Sequence, residues 1–111
     1  MSTHSIIAIK NFDGSYDSIY CHYNGQPTGG VGDALCTKYT SEHSAQLLID
    51  FGDHSSIMVD GSEAYASREN ESWDDIQPIN HLTEAWLVNY AKRFGKHLYI
   101  FVNGKWLHKN V

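Results

Sequence analysis

Apolar positions in this chain form short β-type runs near its two ends and helical stripes between them. Ser5–Lys10 (SIIAIK) is short and β-branched, which predicts a strand. Asn11-Phe12-Asp13-Gly14 follows, and its Asp-Gly step supplies the positive φ a tight turn needs. Tyr16–Tyr23 then alternates, placing Tyr16, Ser18, Tyr20 and His22 on one face and Asp17, Ile19, Cys21 and Tyr23 on the other. These two segments predict an N-terminal hairpin. At the other end His97–Val102 and Lys105–His108 flank Asn103-Gly104, a dipeptide suited to a type I′ turn, and predict a second hairpin.

Between the hairpins the period becomes helical. Val31, Ala34, Leu35 and Tyr39 define a first helix over Val31–Tyr39. Thr40 is the expected cap of a second, which carries Ala45, Leu47, Leu48 and Phe51 and ends at Gly52 in the left-handed region. A third and longest helix is expected from an Asn80 cap. Its stripe is Leu82, Ala85, Trp86, Val88 or Asn89, Tyr90 and Phe94, with Lys92 and Arg93 in the last turn and Gly95 as its stop. Asp60–Pro78 has no clean period and reads as a long loop with a short helical turn near Trp73–Ile76. An isolated hairpin is marginal in water, so the two hairpins are expected to join. The expected fold is α+β: one domain spanning residues 1–111, with a four-stranded antiparallel sheet built from the terminal hairpins and about three helices packed on one face.

Composition adds little until charge is mapped. The chain has 111 residues and is 41% hydrophobic, enough for one buried core and against disorder. No apolar run reaches membrane-span length and no signal-type segment is evident, so a cytoplasmic protein is expected. Cys21 and Cys36 fit no metal or disulfide pattern and read as buried small hydrophobes. The net charge of −5 is unevenly spread: −4 over residues 1–59, −5 over 60–75 and +4 over 76–111. The acidic stretch holds Asp60, Glu63, Glu69, Glu71, Asp74 and Asp75 against Arg68 alone. It is expected to be exposed and mobile, and a clustered field of this sign steers encounters with basic partners. Direct nucleic-acid binding is disfavoured by repulsion from phosphate.

Several chemical templates are met only in part. Gly25, Gly29, Gly30 and Gly32 lead into the first helix, where free amides and the dipole favour an anion. The Lys-Ser/Thr of a P-loop is missing, however, and Asp33 competes for the same position. The plainer reading is a strand-to-helix turn with positive φ at several positions. Seven histidines show no helical i, i+4 pair; a metal site would need His22, His43 and His54 to meet with Asp50 or Asp53, and no metal or other cofactor is expected. Asp53-His54-Ser55-Ser56 has the residue types of a hydrolase triad, but adjacent residues rarely reach that geometry. It reads instead as a turn after the second helix, and no catalytic residue is assigned. Tyr20, His22 and Tyr23 are candidate partner-binding residues, because aromatics dominate interface hot spots. Glu69, Glu71, Asp74 and Asp75 join them as the acidic part of that surface.

The segment from residue 5 to 56 resembles a family of small bacteriophage and prophage accessory proteins. The resemblance rests on Ile19-Tyr20-Cys21-His22, Gly25, Pro27, Gly30, Gly32, Leu35, Tyr39, Leu48-Ile49, Gly52-Asp53 and Ser55-Ser56, with a looser echo at Gly104-Lys105-Trp106. Asn24 stands where aspartate is common, and Gln26 where an aromatic is. The resemblance implies an origin and assigns no chemistry. Together with the acidic charge it leads to the expectation of a non-catalytic protein, monomer or homodimer, that binds a host bacterial protein in the host cytoplasm, as anti-CRISPR inhibitors do. A second reading is a small ligand-binding or metal-dependent enzyme domain that uses the Gly25–Gly32 loop with His22, Asp33 and Asp53.

Overall fold

Four consecutive residues of the first strand, Ile6, Ile7, Ala8 and Ile9, are all buried, and this sets the architecture. A strand buried on both faces must lie inside a sheet that is covered on both sides. The computed structural model describes residues 3–68 and 71–111. In it β1 (Ser5–Lys10) pairs antiparallel with β2 (Tyr16–Cys21), and Gly14 at φ 90° turns the chain between them. At the other end β6 (His97–Val102) and β7 (Lys105–Asn110) form the second hairpin, closed by Asn103 at φ 54° and Gly104 at φ 78°. Two successive positive φ values are the signature of the type I′ turn.

The hairpins do join, but through a parallel pairing of β1 with β6. Three further strands extend the sheet: β3 (His54–Met58), β4 (Gly61–Ala64) and β5 (Ile79–His81). The order is β4-β3-β2-β1-β6-β7, with β5 also on the outer edge of β2. The expected four-stranded antiparallel sheet is therefore replaced by a mixed sheet of seven strands. Strands β3 and β4 occupy stretches whose pattern predicts a turn at Asp53–Ser56 and a loop over Asp60–Pro78, and β5 follows directly. These stretches are rich in polar residues, and they adopt extended structure by pairing with distant segments rather than by their own pattern.

Among the described residues there are four α-helices, and those that pack on the sheet cover both of its faces rather than one. On one face α1 (Val31–Lys38) and α2 (Glu42–Asp50) pack Val31, Ala34, Leu35, Ala45, Leu48 and Ile49 against Ile7, Ile9, Ile19 and Phe101. On the other, α4 (Glu84–Phe94) sets Leu87 and Ala91 on Ile6, Ala8, Leu98 and Ile100. The short α3 (Trp73–Ile76) matches the helical turn expected there. Capping departs from expectation by a few residues. Ser41, not Thr40, caps α2 through a reciprocal box with Ser44, and Thr83, not Asn80, caps α4. The α4 stripe is also rotated: Trp86 stays 61% exposed and Phe94 45%, while Leu87 points inward. Cys21 is buried as expected; Cys36 is exposed.

Candidate functional site

The alternation of β2 points Tyr16, Ser18, Tyr20 and His22 toward the α4 side of the sheet. Tyr16 and Ser18 are buried there, while Tyr20 and His22 at the strand end are only half-buried. His4, just before β1, completes a chain of polar groups. The Tyr20 hydroxyl lies 2.6 Å from His4 Nδ1 and 2.9 Å from His22 Nδ1, and His4 Nδ1 is 3.0 Å from the His22 carbonyl. A carbonyl only accepts, so His4 Nδ1 carries the proton. Tyr20 then accepts from His4 and donates to His22 Nδ1, which orients all three side chains. Tyr23, nearly half exposed, sets its ring edge-on to His22 with centroids 4.4 Å apart.

Asp53 fills a gap in the sheet. The outer edge of β2 is shared: β5 pairs with Tyr16–Ser18 and β3 with Cys21. Between them the Tyr20 amide would have no strand partner, and it donates to Asp53 Oδ1 at 2.8 Å. The backbone of Asp53 is engaged as well: its amide donates to the Ile76 carbonyl at 2.8 Å, and its carbonyl accepts from the Tyr65 amide at 3.0 Å. One residue thus joins the aromatic strand, the 3₁₀ turn Tyr65–Ser67 and the end of α3. Gly52 makes this approach possible, because at φ 81° it tolerates the turn and a Cβ there would collide with the Ile76 carbonyl. Burial pushes the Asp53 carboxyl up to about 6, against the opposing effect of the Tyr20 amide.

The phenols of Tyr20 and Tyr90 are influenced by that carboxyl. Burial pushes the Tyr20 phenol up to about 12, with Tyr65, Cys21 and Asp53 adding to the effect. Burial, followed by Asp53, also raises the Tyr90 phenol. The Tyr90 ring lies 4.9 Å from His81, whose Nε2 meets Ser18 Oγ at 2.8 Å. His81 and Tyr90, with Trp86, Asn89 and Arg93, line a shallow groove of about 260 Å³. The result is a face of phenols, imidazoles and one indole, with hydroxyls and ring nitrogens available at its surface. Such a face suits contact with another macromolecule, where amphipathic rings supply area at low entropic cost.

The acidic residues lie on the neighbouring α3 segment. Glu71, Asp74 and Asp75 are exposed; Glu69 lies outside the described residues. Burial raises the Tyr65 phenol, Arg68 opposes this and Glu71 adds to it. Arg68 stacks on Tyr65 at 4.8 Å and pairs with Glu63 at 2.6 Å, which leaves Asp60, Glu71, Asp74 and Asp75 to carry the acidic field among the described residues. The segment is exposed but not a loop throughout, being held by β4, the 3₁₀ turn and α3.

Of the other sequence candidates, only Asp53 belongs to this face. In the glycine loop the Gly29 amide donates to Asp33 Oδ2 at 2.7 Å, Val31 to the Asn24 carbonyl at 2.8 Å and Gly32 to the Gln26 carbonyl at 3.2 Å. Within Gly25–Gly32 only Gly29 has positive φ; Gly25, Gly30 and Gly32 are instead sites of close backbone approach. The Gly25 carbonyl also accepts the Tyr99 hydroxyl at 2.7 Å. His22, His43 and His54 do not meet, and no group of three metal-binding side chains occurs among the described residues. In Asp53-His54-Ser55-Ser56 the aspartate turns to Tyr20 and His54 Nδ1 to the Gly52 carbonyl, so no relay forms. Sequence reasoning missed His4, Tyr65 and Tyr90 as members of the site. Tyr90 was legible as a polar-tipped aromatic on a helix, whereas His4 and Tyr65 carry no periodic signal. No protein-family model, curated protein or solved structure matches the chain. No helix among the described residues is long and apolar enough to cross a membrane.

Proposed function

We propose that this chain is a phage- or prophage-type accessory protein that binds a bacterial host protein in the host cytoplasm and modulates it, as a counter-defence inhibitor does. The observation that carries this reading is Asp53, which ties the aromatic strand and the acidic α3 segment together through Tyr20 and Ile76. Aromatic anchors beside a negative rim are what a basic, groove-bearing partner would require. The contact surface is Tyr20, His22 and Tyr23 with Glu69, Glu71, Asp74 and Asp75, extended by Tyr65, Tyr90 and Trp86. No cofactor takes part. The ligand-binding alternative has less support, because three of the amides at the helix entrance, those of Gly29, Val31 and Gly32, already have partners within the loop.

Affinity capture from bacterial lysate at physiological salt tests the proposal. The wild-type chain is expected to retain one protein in stoichiometric amount, and Tyr23→Ala combined with Trp86→Ala to lose it. Both side chains are well exposed, so the double variant keeps its core. Absence of a stoichiometric partner, or equal retention by the folded double variant, would overturn the reading.

A further inference from the structure

On the opposite, α2 side of the sheet a groove of about 530 Å³ runs between α2 and the β3–β4 hairpin. Its walls are Leu47, Leu48 and Phe51 of α2, Tyr39, and Ala64 and Ala66 from the hairpin side. Serines are the other neutral polar residues along it, and among the described residues none that lines it carries a carboxylate, ammonium or guanidinium. Leu47 is 46% and Phe51 58% exposed, one helical turn apart on α2, so the apolar wall is open to an occupant. The groove is held in shape. The Trp106 indole donates to the Tyr39 carbonyl at 2.7 Å, and the Tyr39 hydroxyl lies 3.2 Å from Ser62 Oγ.

His54 supplies the specific polar group. The residue is only 2% exposed, yet it is one of those lining the groove. Its Nδ1 lies 2.8 Å from the Gly52 carbonyl, which can only accept, so Nδ1 carries the hydrogen. Nε2 is then a lone-pair acceptor and has no hydrogen-bond partner among the described residues. Burial pushes protonation of the imidazole below the usual histidine range, so the ring is neutral at physiological pH. Volume, apolar walls and a few placed polar groups match the anatomy of a small-molecule site.

We propose that this groove binds a small neutral molecule, aromatic or otherwise apolar, that carries one hydrogen-bond donor directed at His54 Nε2, as in a phenol or an indole. An anion is disfavoured because the lining offers no cation among the described residues. A purely apolar ligand would leave the acceptor without a partner, which a buried polar group resists. The lining shares no residue with the proposed partner surface, though Ala66 and Ser67 belong to the same 3₁₀ turn as Tyr65, and the proposal does not depend on that surface.

The test uses p-cresol, indole and toluene as probes, titrated into the 111-residue chain labelled for ring-nitrogen NMR of His54. The free protein is expected to show the neutral Nδ1–H form. Saturable binding of p-cresol or indole should shift Nε2, and p-cresol should bind about 10-fold or more tightly than its isostere toluene, which lacks the donor. His54→Phe should abolish that preference. Should that variant fail to fold, Ala66→Trp, at an exposed position on the wall, fills the groove and should abolish binding of every probe. Equal affinities for p-cresol and toluene, binding that leaves the His54 nitrogens unmoved, binding undisturbed by Ala66→Trp, or no saturable binding of p-cresol or indole would each overturn the proposal.

Discussion

Asp53 occupies the point where β5 ends and β3 begins along the edge of β2, and there its ionisation is coupled to folding. In the folded chain its carboxyl is held near 6, against an ordinary value of 3.8. The native state therefore binds this proton more tightly than the unfolded state. Its contribution to stability is fully present below about pH 4 and is lost as pH rises through about 6. An asparagine side chain at this position would keep an oxygen to accept the Tyr20 amide and cannot ionise. Asp53→Asn should thus gain stability relative to wild type as pH rises from about 4 to about 7, and melting temperatures of the two proteins at those two pH values check this. A difference that stays constant with pH would show that the carboxyl is not desolvated. His54 shifts in the opposite sense, destabilising the fold as pH falls below the ordinary histidine value, but it is common to both proteins and cancels.

At the scale of elements, α4 shows how one helix divides between packing and contact. Leu87 and Ala91 are fully buried against β1 and β6, whereas Trp86 beside them faces solvent. Leu87→Ala should cost about 2–5 kcal/mol, combining lost transfer energy with the cavity left between helix and sheet. Trp86→Ala should change stability by only about 0.5 kcal/mol. Denaturant melts of the two variants measure the contrast. A large loss for Trp86→Ala would mean that its ring packs on the sheet and is no contact residue. The amphipathic period was readable in the sequence, but its phase was not. Apolar residues lie at too many positions around the helix, from Leu82 to Phe94, for pattern to choose the inward face. The sheet beneath decides it.

For the whole molecule, the separation of charge matters more than its total. The exposed α3 segment carries the acidic field, while Lys92, Arg93, Lys96, Lys105 and Lys109 lie in the last third of the chain. Lys109 reaches Glu84 at 3.6 Å, an exposed pair of little energetic weight. Reversing Glu71, Asp74 and Asp75 to lysine should slow association with the captured partner by roughly 10-fold. The fold should stay intact at about 0.5 kcal/mol or less per site. The wild-type on-rate should also fall with added salt, since exposed charges are screened beyond about 8 Å at physiological ionic strength. Stopped-flow association rates at two salt concentrations check both. An unchanged on-rate in the triple reversal would restrict the acids to solubility and leave recognition to the aromatic face.

Local features of this protein were settled by sequence alone, because their causes lie within a few residues. Asn103-Gly104 makes its turn through two positive φ values, Gly52 ends α2, and the alternation of β2 assigns Tyr20 and His22 to one face. The unbroken apolar runs of β1 and β6 also held information about the two-sided sheet, since a strand exposed on one face would alternate. What tertiary structure decided were the pairings between distant segments. His54 pairs with Cys21 in parallel, and β1 with β6 across most of the chain. Those registers follow from how two helical layers can bury one sheet, which no local period records. The candidate site has the same origin: His4, Tyr20, Asp53, Tyr65 and Tyr90 come from separate elements, and Asp53 reaches the Tyr20 amide because the edge of β2 is left open between β5 and β3.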